Sequence, residues 1–283
     1  MWTRRYWLRT GTGMLLARGL KARSIPVKIG VTDWNLRQEA KLEALALAHK
    51  LGFDGVEISI GVGTDRLPLS DPDLQKAYVG EARRLRFPTH STCLNILHRN
   101  VLKADPLARR WVADSIPITR AVGAQVILLP FFGKGALQTR EEMDYVADYL
   151  REIGPEAEKA GVILGLENTC SAEDNARMVE RARSKAVLVY YDIGNSTNQG
   201  YDVVKEIRWL GKDRICQFHI KDNPHFLGQG KIDIPAVVQA IADIGFQGWA
   251  NLETVSPTKS VENDMAVNLK YVRDLIAAQE RKG

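Results

Sequence analysis

The sequence predicts a (β/α)8 barrel, on three observations. Apolar runs of strand length alternate with segments of helical periodicity from Val27 almost to the C-terminus, and eight such pairs can be counted. The run at 124–132 is rich in Val, Ile and Leu without period-two alternation, as expected for a strand covered on both faces. The length of 283 residues is close to the roughly 250 residues of a single barrel. No Gly-x-Gly-x-x-Gly or P-loop motif follows any strand, so nothing favours a nucleotide-binding doubly wound sheet.

The first four strand–helix units are separated by glycine and proline. Gly52 predicts the end of the first helix, because glycine readily adopts the left-handed conformation that closes a helix. Pro117 predicts a kink or a boundary in the third helix, and Gly154-Pro155 predicts a break in the fourth. The predicted strands are 27–34, 55–59, 87–95 and 124–132, and the predicted helices are 41–51, 71–85, 107–122 and 139–160.

The second half repeats the unit four more times. Each predicted strand is a short apolar run that ends in a polar cluster, and a helical segment follows it. The strands are 162–168, 186–195, 215–222 and 248–254, and the helices are 172–183, 202–210, 234–244 and 261–279. This alternation predicts one catalytic barrel domain over residues 25–283.

The net charge of +5 is concentrated in the N-terminal segment. Residues 1–28 contain seven Lys and Arg and no Asp or Glu, so the remainder carries 32 basic and 34 acidic residues, a net charge of −2. A slightly acidic body gives no electrostatic reason to bind nucleic acid. No uncharged apolar stretch approaches the roughly 18 residues that indicate a transmembrane helix. We therefore expect neither a nucleic-acid partner nor stable membrane insertion, while the sequence leaves formation of a homo-oligomer open.

Residues 3–9, Thr-Arg-Arg-Tyr-Trp-Leu-Arg, resemble the twin-arginine export motif. A short apolar stretch follows at 11–16, and Ala22 could serve at a cleavage site. We predict that residues 1–24 are either a twin-arginine signal peptide or a disordered basic tail. The first alternative places the protein in the periplasm, and the second in the cytoplasm. The three cysteines, Cys93, Cys170 and Cys216, are odd in number and lack metal-ligand spacing, which favours free thiols over disulfides.

Four strands of the second half each end in a side chain that can bind a metal ion. Glu167 ends the fifth strand, Asp192 the sixth, His219 the seventh and Glu253 the eighth. The strands of a parallel barrel all point the same way, so these four ends meet at one mouth. Three carboxylates and one imidazole favour a single divalent cation, Mn²⁺ first, with Co²⁺, Mg²⁺ or Zn²⁺ as alternatives. An octahedral ion would keep two positions open for a substrate with two adjacent oxygens.

These strand ends resemble the motifs of the xylose-isomerase-like barrel superfamily, which includes ketose 3-epimerases, hydroxypyruvate isomerase, inosose dehydratase and endonuclease IV. The segments that carry the resemblance are Leu-Glu167-Asn, Tyr-Asp192-Ile-Gly-Asn195, Phe-His219-Ile-Lys-Asp222, Gly-Gln-Gly230-Lys-Ile-Asp233 and Leu-Glu253. The resemblance covers nearly all of the chain after Val27. Its motifs are specific for the superfamily and not for a substrate.

The resemblance to the ketose 3-epimerases also implies a reaction. In those enzymes the two glutamates act on opposite faces of the substrate carbon, so Glu167 and Glu253 are expected to remove and return a proton next to a carbonyl. The metal would polarise that carbonyl and hold the resulting enediolate. The chain is thus expected to be a metal-dependent isomerase or epimerase whose substrate is a small carbohydrate, a keto-sugar or a polyol.

Three positions near the ligands bear on the substrate. Glu173 lies six residues after Glu167, where the epimerases carry a second glutamate that contacts substrate oxygens. Asn195 stands where they carry a histidine, and His225 where they carry an arginine. A histidine at 225 could act as a general acid or base at neutral pH. Because of these two differences, an alternative function remains open, that of a dehydratase or lyase that acts on an oxidised sugar such as an inosose or a 3-keto-glycoside.

Polar and aromatic residues near other strand ends are further candidates. We assign His90 and Lys221 to substrate binding, while Glu57 could bind hydroxyls and Trp34 could stack on a sugar face. Two functions of other classes are weighed against the enzyme. An endonuclease IV-like repair enzyme needs more strand-end histidines than the five of this chain provide. A non-catalytic sugar-binding barrel is expected to have lost metal ligands first, and this chain has the full set.

Overall fold

The computed structural model describes residues 27–280, which form a closed barrel of eight parallel strands in sequence order. The predicted (β/α)8 fold is therefore confirmed. The strands are β1 Val27–Thr32, β2 Gly55–Ser59, β3 Thr89–Cys93, β4 Val126–Pro130, β5 Ile163–Glu167, β6 Val187–Asp192, β7 Ile215–Ile220 and β8 Gly248–Leu252. The predicted N-terminal signal peptide or tail lies outside the described residues and stays a prediction.

Helices surround the barrel and connect its strands. They are α1 Glu43–Leu51, α2 Pro72–Leu85, α3 Pro106–Ala121, α4 Arg140–Ala160, α5 Ala172–Ala182, α6 Ile193–Asn198, α7 Val203–Leu210, α8 Ile234–Asp243 and α9 Val261–Glu280. Short 3-10 turns lie at Pro68–Ser70, Asn95–His98 and Gly133–Gly135. Among the described helices, none combines the length and the apolar composition required to cross a membrane.

Two helices continue where the sequence predicted an interruption. α3 runs through Pro117 and α4 runs through Pro155, so the boundary expected as one alternative at Pro117 and the break expected at Gly154-Pro155 are both wrong. The other alternative at Pro117, a kink, stays a prediction. Proline removes one backbone donor, but both prolines are exposed, so water can solvate the carbonyls freed by the missing bonds. Gly154 serves packing rather than interruption, because a Cβ there would lie 2.6 Å from the side chain of Ser184.

The predicted sixth strand at 186–195 is too long at its C-terminal end. The chain leaves the sheet after Asp192 and forms the short helix α6. The Oδ1 atom of Asp192 accepts a hydrogen bond from the backbone N–H of Asn195 at 2.7 Å, so the aspartate caps that helix. The local sequence Asp-Ile-Gly-Asn thus ends the strand and orients a predicted metal ligand at once.

The apolar core has two parts, one between the sheet and the helices and one inside the barrel. The outer part is the larger, and Trp111 of α3, 1% exposed, is its largest fully buried side chain. The inner part is a small cluster that includes Val126, Leu128 and Tyr190. Buried polar side chains, among them Glu57, Gln217 and Asn251, fill the interior beside it, so the site is built on a filled barrel rather than over an open channel.

His90 lies low inside the barrel. The register between β2 and β3 shifts at this residue, so His90 is the extra residue of a β-bulge. Its ring stacks on Trp249 with centroids 3.9 Å apart, and its Nδ1 lies 3.0 Å from the hydroxyl of Ser91. Burial lowers the pKa of His90 from 6.5 to about 3.

This burial predicts a pH dependence of stability. Between pH 6.5 and about 3 the unfolded chain binds a proton at His90 that the folded protein does not bind, so folding stability falls as the pH falls. A His90→Phe variant keeps the aromatic stack but lacks the titrating group. Its free energy of unfolding, measured by urea titration from pH 5.5 to 4, should have a pH slope smaller than that of the wild type by about 1.4 kcal/mol per pH unit. Equal slopes in the two proteins would show that His90 titrates normally.

Candidate metal centre and active site

Four predicted ligands meet at the C-terminal mouth of the barrel. Glu167, Asp192, His219 and Glu253 each offer one ligand atom, and these atoms all lie within 4.8 Å of one another. The first three are buried, whereas 19% of the side chain of Glu253 is exposed. Three carboxylates and one imidazole nitrogen form a donor set that fits a divalent cation. The residues that the sequence predicted as a metal site are therefore brought together, and they could hold one ion.

Strand register places these side chains at one level. Asp192 of β6 lies directly opposite His219 of β7, and the backbone N–H of Glu253 donates to the carbonyl of Ile220 at 3.1 Å. All four side chains point inward at the carboxyl ends of their strands, which is the level where barrel enzymes hold their reacting groups. Adjacent strands thus fix the ligand positions through backbone hydrogen bonds rather than through flexible loops.

His219 directs one nitrogen toward the three carboxylates. Its Nδ1 lies 2.8 Å from Glu167 Oε1, 3.4 Å from Glu253 Oε2 and 3.6 Å from Asp192 Oδ2. Trp34 packs edge-on against the same imidazole, with ring centroids 5.9 Å apart, and its Nε1 donates to Glu253 Oε1 at 3.1 Å. The cluster therefore converges on the Nδ1 side of the ring.

Lys221 inserts its ammonium group among these carboxylates. The Nζ atom lies 2.5 Å from Glu253 Oε2 and 2.7 Å from Asp192 Oδ2. Its stem crosses Gly194, where an added Cβ would lie 2.5 Å from the Cγ of Lys221. Glycine at this position gives the lysine room to reach the cluster. Lys221 was predicted to bind substrate, and the structure places it at the ligands themselves.

Burial and mutual charge shift the pKa values of the cluster. Burial raises the pKa of Glu167 to about 8, an effect that His219 opposes and that Glu253 and Asp192 reinforce. Burial also favours the neutral form of Asp192, but Lys221 and His219 outweigh it and hold the pKa of that carboxyl below its usual value. Burial alone would lower the pKa of Lys221, yet Asp192 and Glu253 keep it above its usual value. The cluster thus carries buried negative charge that cations balance.

A cavity of about 400 Å³ opens above the ligands. Glu167 and Glu253 line it together with Lys221 and Asn195, and Trp34 supplies an aromatic wall. This volume lies in the range of small-molecule sites, and the lining combines polar groups with apolar surface. Cys93, which is buried, also lines the cavity, and it is one of three cysteines that are free, as the sequence predicted.

The lining of this cavity also contains residues that the sequence did not indicate. Glu39, His98 and Phe132 line it, and the amide of Asn95 donates to Glu39 Oε1 at 2.8 Å. They come from the loops after β1, β3 and β4. A systematic survey of polar and aromatic residues in all eight strand-end loops would have found them, because those loops form the mouth of the barrel.

A second cavity, of about 290 Å³, adjoins the first. Asn195 and Lys221 line both cavities, so they stand at the boundary. His225 is exposed and lines only the second one, beside Lys231. The structure therefore brings Asn195 and Lys221 to the ligand cluster but leaves His225 at a distance, in the adjoining space.

Three other candidates lie away from the place that the sequence suggested. Glu173 is exposed in the first turn of α5 and lines neither cavity, because the helix turns its side chain to solvent. His90 lies in the lower barrel against Trp249, below the mouth, so its assignment to substrate binding is not supported. Glu57 is fully buried beneath His219 and is not at the surface of the cavity.

The chain resembles a known protein family over most of its length. Residues 45–275 match the family described as the xylose isomerase-like TIM barrel. The chain belongs to this family. The match spans all four candidate metal ligands, and the resemblance inferred from the strand-end motifs is confirmed.

Two relatives of this xylose isomerase-like barrel are sugar epimerases by name. The chain is 28% identical over 269 residues to the L-ribulose-5-phosphate 3-epimerase UlaE of Escherichia coli (strain SMS-3-5 / SECEC), a match that covers 86% of this chain and 91% of the relative. It is 26% identical over 208 residues to the 2-epi-5-epi-valiolone 7-phosphate 2-epimerase of Actinoplanes sp., a match that covers 70% of this chain and 73% of the relative.

Solved structures share its fold. An L-ribulose 3-epimerase superimposes with a TM-score of 0.76 at 19% identity, covering 90% of this chain and 96% of the other. A protein named IOLI, determined with a bound zinc atom, gives a TM-score of 0.71 at 17% identity. This match covers 89% of this chain and 99% of the other. At these identities the likeness establishes the shared fold.

Proposed function

We propose that this xylose isomerase-like barrel is a metal-dependent sugar isomerase or epimerase that removes and returns a proton at a carbon next to a carbonyl. The observation that carries the proposal is the convergence of Glu167 and Glu253 on one cavity that also holds a divalent-cation donor set. A carbon acid beside a ketone needs both a positioned carboxylate and stabilisation of the developing oxyanion. The two sugar epimerases among its relatives support the same reaction class.

The two glutamates reach the cavity from different sides of the barrel. Glu167 ends β5 and Glu253 follows β8, which lies three strands further along the eight-stranded barrel. A substrate carbon held between them presents a different face to each carboxylate, as inversion of one stereocentre requires. One carboxylate removes the proton and the other, in its protonated form, returns one to the opposite face. The stereochemistry of the substrate decides which acts first.

Glu167, Asp192, His219 and Glu253 would hold a divalent ion, and this ion would supply Lewis-acid polarisation of the substrate carbonyl. We propose Mn²⁺, because the site offers mainly carboxylate oxygens, which suit Mn²⁺ and Mg²⁺, together with one imidazole. The IOLI protein, which shares the fold, was determined with a bound zinc atom, and this supports the capacity of such a barrel to bind a divalent metal.

The remaining residues of the site position the substrate. Lys221 and Asn195 lie at the junction of the two cavities, where an ammonium and an amide can hydrogen-bond sugar hydroxyls on either side of the reacting carbon. Trp34 offers a ring face or edge to the sugar. His225 faces the adjoining cavity, so it would contact the distal part of a longer substrate rather than the reacting carbon.

A substrate screen in D₂O tests this proposal. The purified protein, loaded with Mn²⁺, is incubated with ketoses, ketose phosphates, inososes and 3-keto-glycosides, and products are followed by NMR and mass spectrometry. We expect deuterium at the carbon next to the carbonyl together with an epimer or an aldose–ketose isomer. An unsaturated product formed with loss of water or of a glycosyl leaving group would instead identify a lyase. Binding without exchange for every compound would favour a non-catalytic sugar-binding barrel.

A further inference from the structure

The two nitrogens of the His219 ring have different surroundings. Nδ1 faces the carboxylates of Glu167, Asp192 and Glu253 at 2.8 to 3.6 Å. A cation shared with those carboxylates would therefore be bound by Nδ1. A neutral imidazole carries one hydrogen, so an ion on Nδ1 leaves that hydrogen on Nε2.

Nε2 points down into the barrel and faces Glu57. Within residues 27–280, Nε2 has no hydrogen-bond partner, and neither does Glu57 Oε1, which lies 3.6 Å away. Both side chains have 0% exposure, so bulk water does not reach either atom. A buried donor or acceptor left unpaired costs about 1–3 kcal/mol. A movement of less than about 1 Å would bring the two atoms to hydrogen-bonding distance.

The other oxygen of Glu57 is anchored from three sides. Oε2 accepts hydrogen bonds from the hydroxyl of Tyr190 at 2.5 Å, the hydroxyl of Ser91 at 2.6 Å and the amide of Asn251 at 3.2 Å. These three donors come from three different strands. They fix the plane of the carboxylate and leave Oε1 as the atom directed at His219.

We propose that Glu57 is a positioning residue for the metal centre, which accepts the Nε2–H of His219 and so selects Nδ1 as the ion-binding nitrogen. Carboxylates that accept the second N–H of a ligand histidine orient the ring and raise its affinity for the ion. This inference rests on the ion-binding part of the proposed function and not on the identity of the substrate.

Glu57→Gln is the variant that tests the proposal. The amide has nearly the shape of the carboxylate, and its oxygen remains the better partner for the three donors at Oε2. The amide NH₂ group then faces Nε2 and donates to it, which moves the ring hydrogen to Nδ1, where it competes with the ion. We expect the affinity for Mn²⁺, measured by calorimetric titration of the metal-free protein, to fall by about 10- to 100-fold.

Ser91→Ala is the matched control. It removes a 2.6 Å hydrogen bond to Oε2 of the same carboxylate and leaves Oε1 in place. We expect its Mn²⁺ affinity to stay within about threefold of the wild type. If Glu57 only stabilises the polar interior, both variants should lower the melting temperature and neither should change the affinity, and that result would overturn the proposal.

A spectroscopic measurement on the wild-type protein tests the proposal without depending on whether a variant folds. In protein loaded with diamagnetic Zn²⁺, long-range ¹H–¹⁵N spectra report which ring nitrogen of His219 is protonated. We expect a hydrogen on Nε2, and a hydrogen on Nδ1 would overturn the proposal. If the wild type binds neither ion, the proposed metal centre fails and this inference fails with it. If the wild type binds Mn²⁺ and Glu57→Gln binds it equally well, only the role of Glu57 is overturned.

Discussion

Replacing Glu253 with glutamine should lower the rate of deuterium exchange at the substrate carbon by about 10²- to 10⁴-fold, the usual contribution of a positioned general base. Glu253 borders the cavity and keeps 19% of its side chain exposed, so a substrate can reach it. The amide still offers an oxygen to Lys221 and to a bound ion, but it cannot take up a proton. The amide also removes one ligand charge, so the exchange rate is measured at saturating Mn²⁺, at an ion concentration set by calorimetric titration of the variant. Under that condition the loss should appear in kcat.

Glu173→Gln is the control for this change. It makes the same chemical substitution on an exposed glutamate in the first turn of α5, away from both cavities. Its exchange rate should stay within about twofold of the wild type, since surface substitutions rarely alter the structure. Wild-type exchange in Glu253→Gln would rule out this carboxylate as the base. An equal loss in both variants would show that Glu173 reaches the substrate, as the ketose 3-epimerases suggest.

Binding of Mn²⁺ should stabilise the protein, and Asp192→Asn should remove most of that effect. An ion that binds only the folded state at 100 times its dissociation constant adds about 2.7 kcal/mol to the free energy of unfolding. In a protein of this size that corresponds to a rise in melting temperature of roughly 5–10 °C. Asparagine at 192 keeps the oxygen that accepts the N–H of Asn195 and caps α6, but it removes one ligand charge.

Thermal unfolding with and without the ion measures this difference. Chelation with EDTA should reverse the stabilisation and abolish exchange activity together. The folding of Asp192→Asn is checked by its own melting curve in EDTA, where Lys221 retains its contact with Glu253 at 2.5 Å. If Mn²⁺, Co²⁺, Mg²⁺ and Zn²⁺ all leave the wild-type melting temperature unchanged, the four residues do not form a metal centre.

The sequence alone was sufficient to predict the barrel and its four ligand candidates. Alternating apolar runs define strand and helix by their periods, and a parallel barrel necessarily brings the ends of its strands to one rim. Glu167, Asp192, His219 and Glu253 each stand at such an end, so their convergence follows from topology. The helix that Asp192 begins was missed, because one polar cluster both ends a strand and caps a helix.

Depth along the barrel could be read only from the tertiary structure. A period of two distinguishes inward from outward side chains but does not give their height, and the bulge at His90 changes the register between β2 and β3. The sequence suggested that Glu57 and His90 contact the substrate at the mouth, but both residues lie below the mouth, inside the barrel. The positions of the Glu173 and His225 side chains depend on the direction in which a helix and a loop leave the rim of the barrel. Strand periodicity does not specify that direction. The sequence determined which strands meet, and the packing between them decided which polar side chains face the substrate and which support a ligand from beneath.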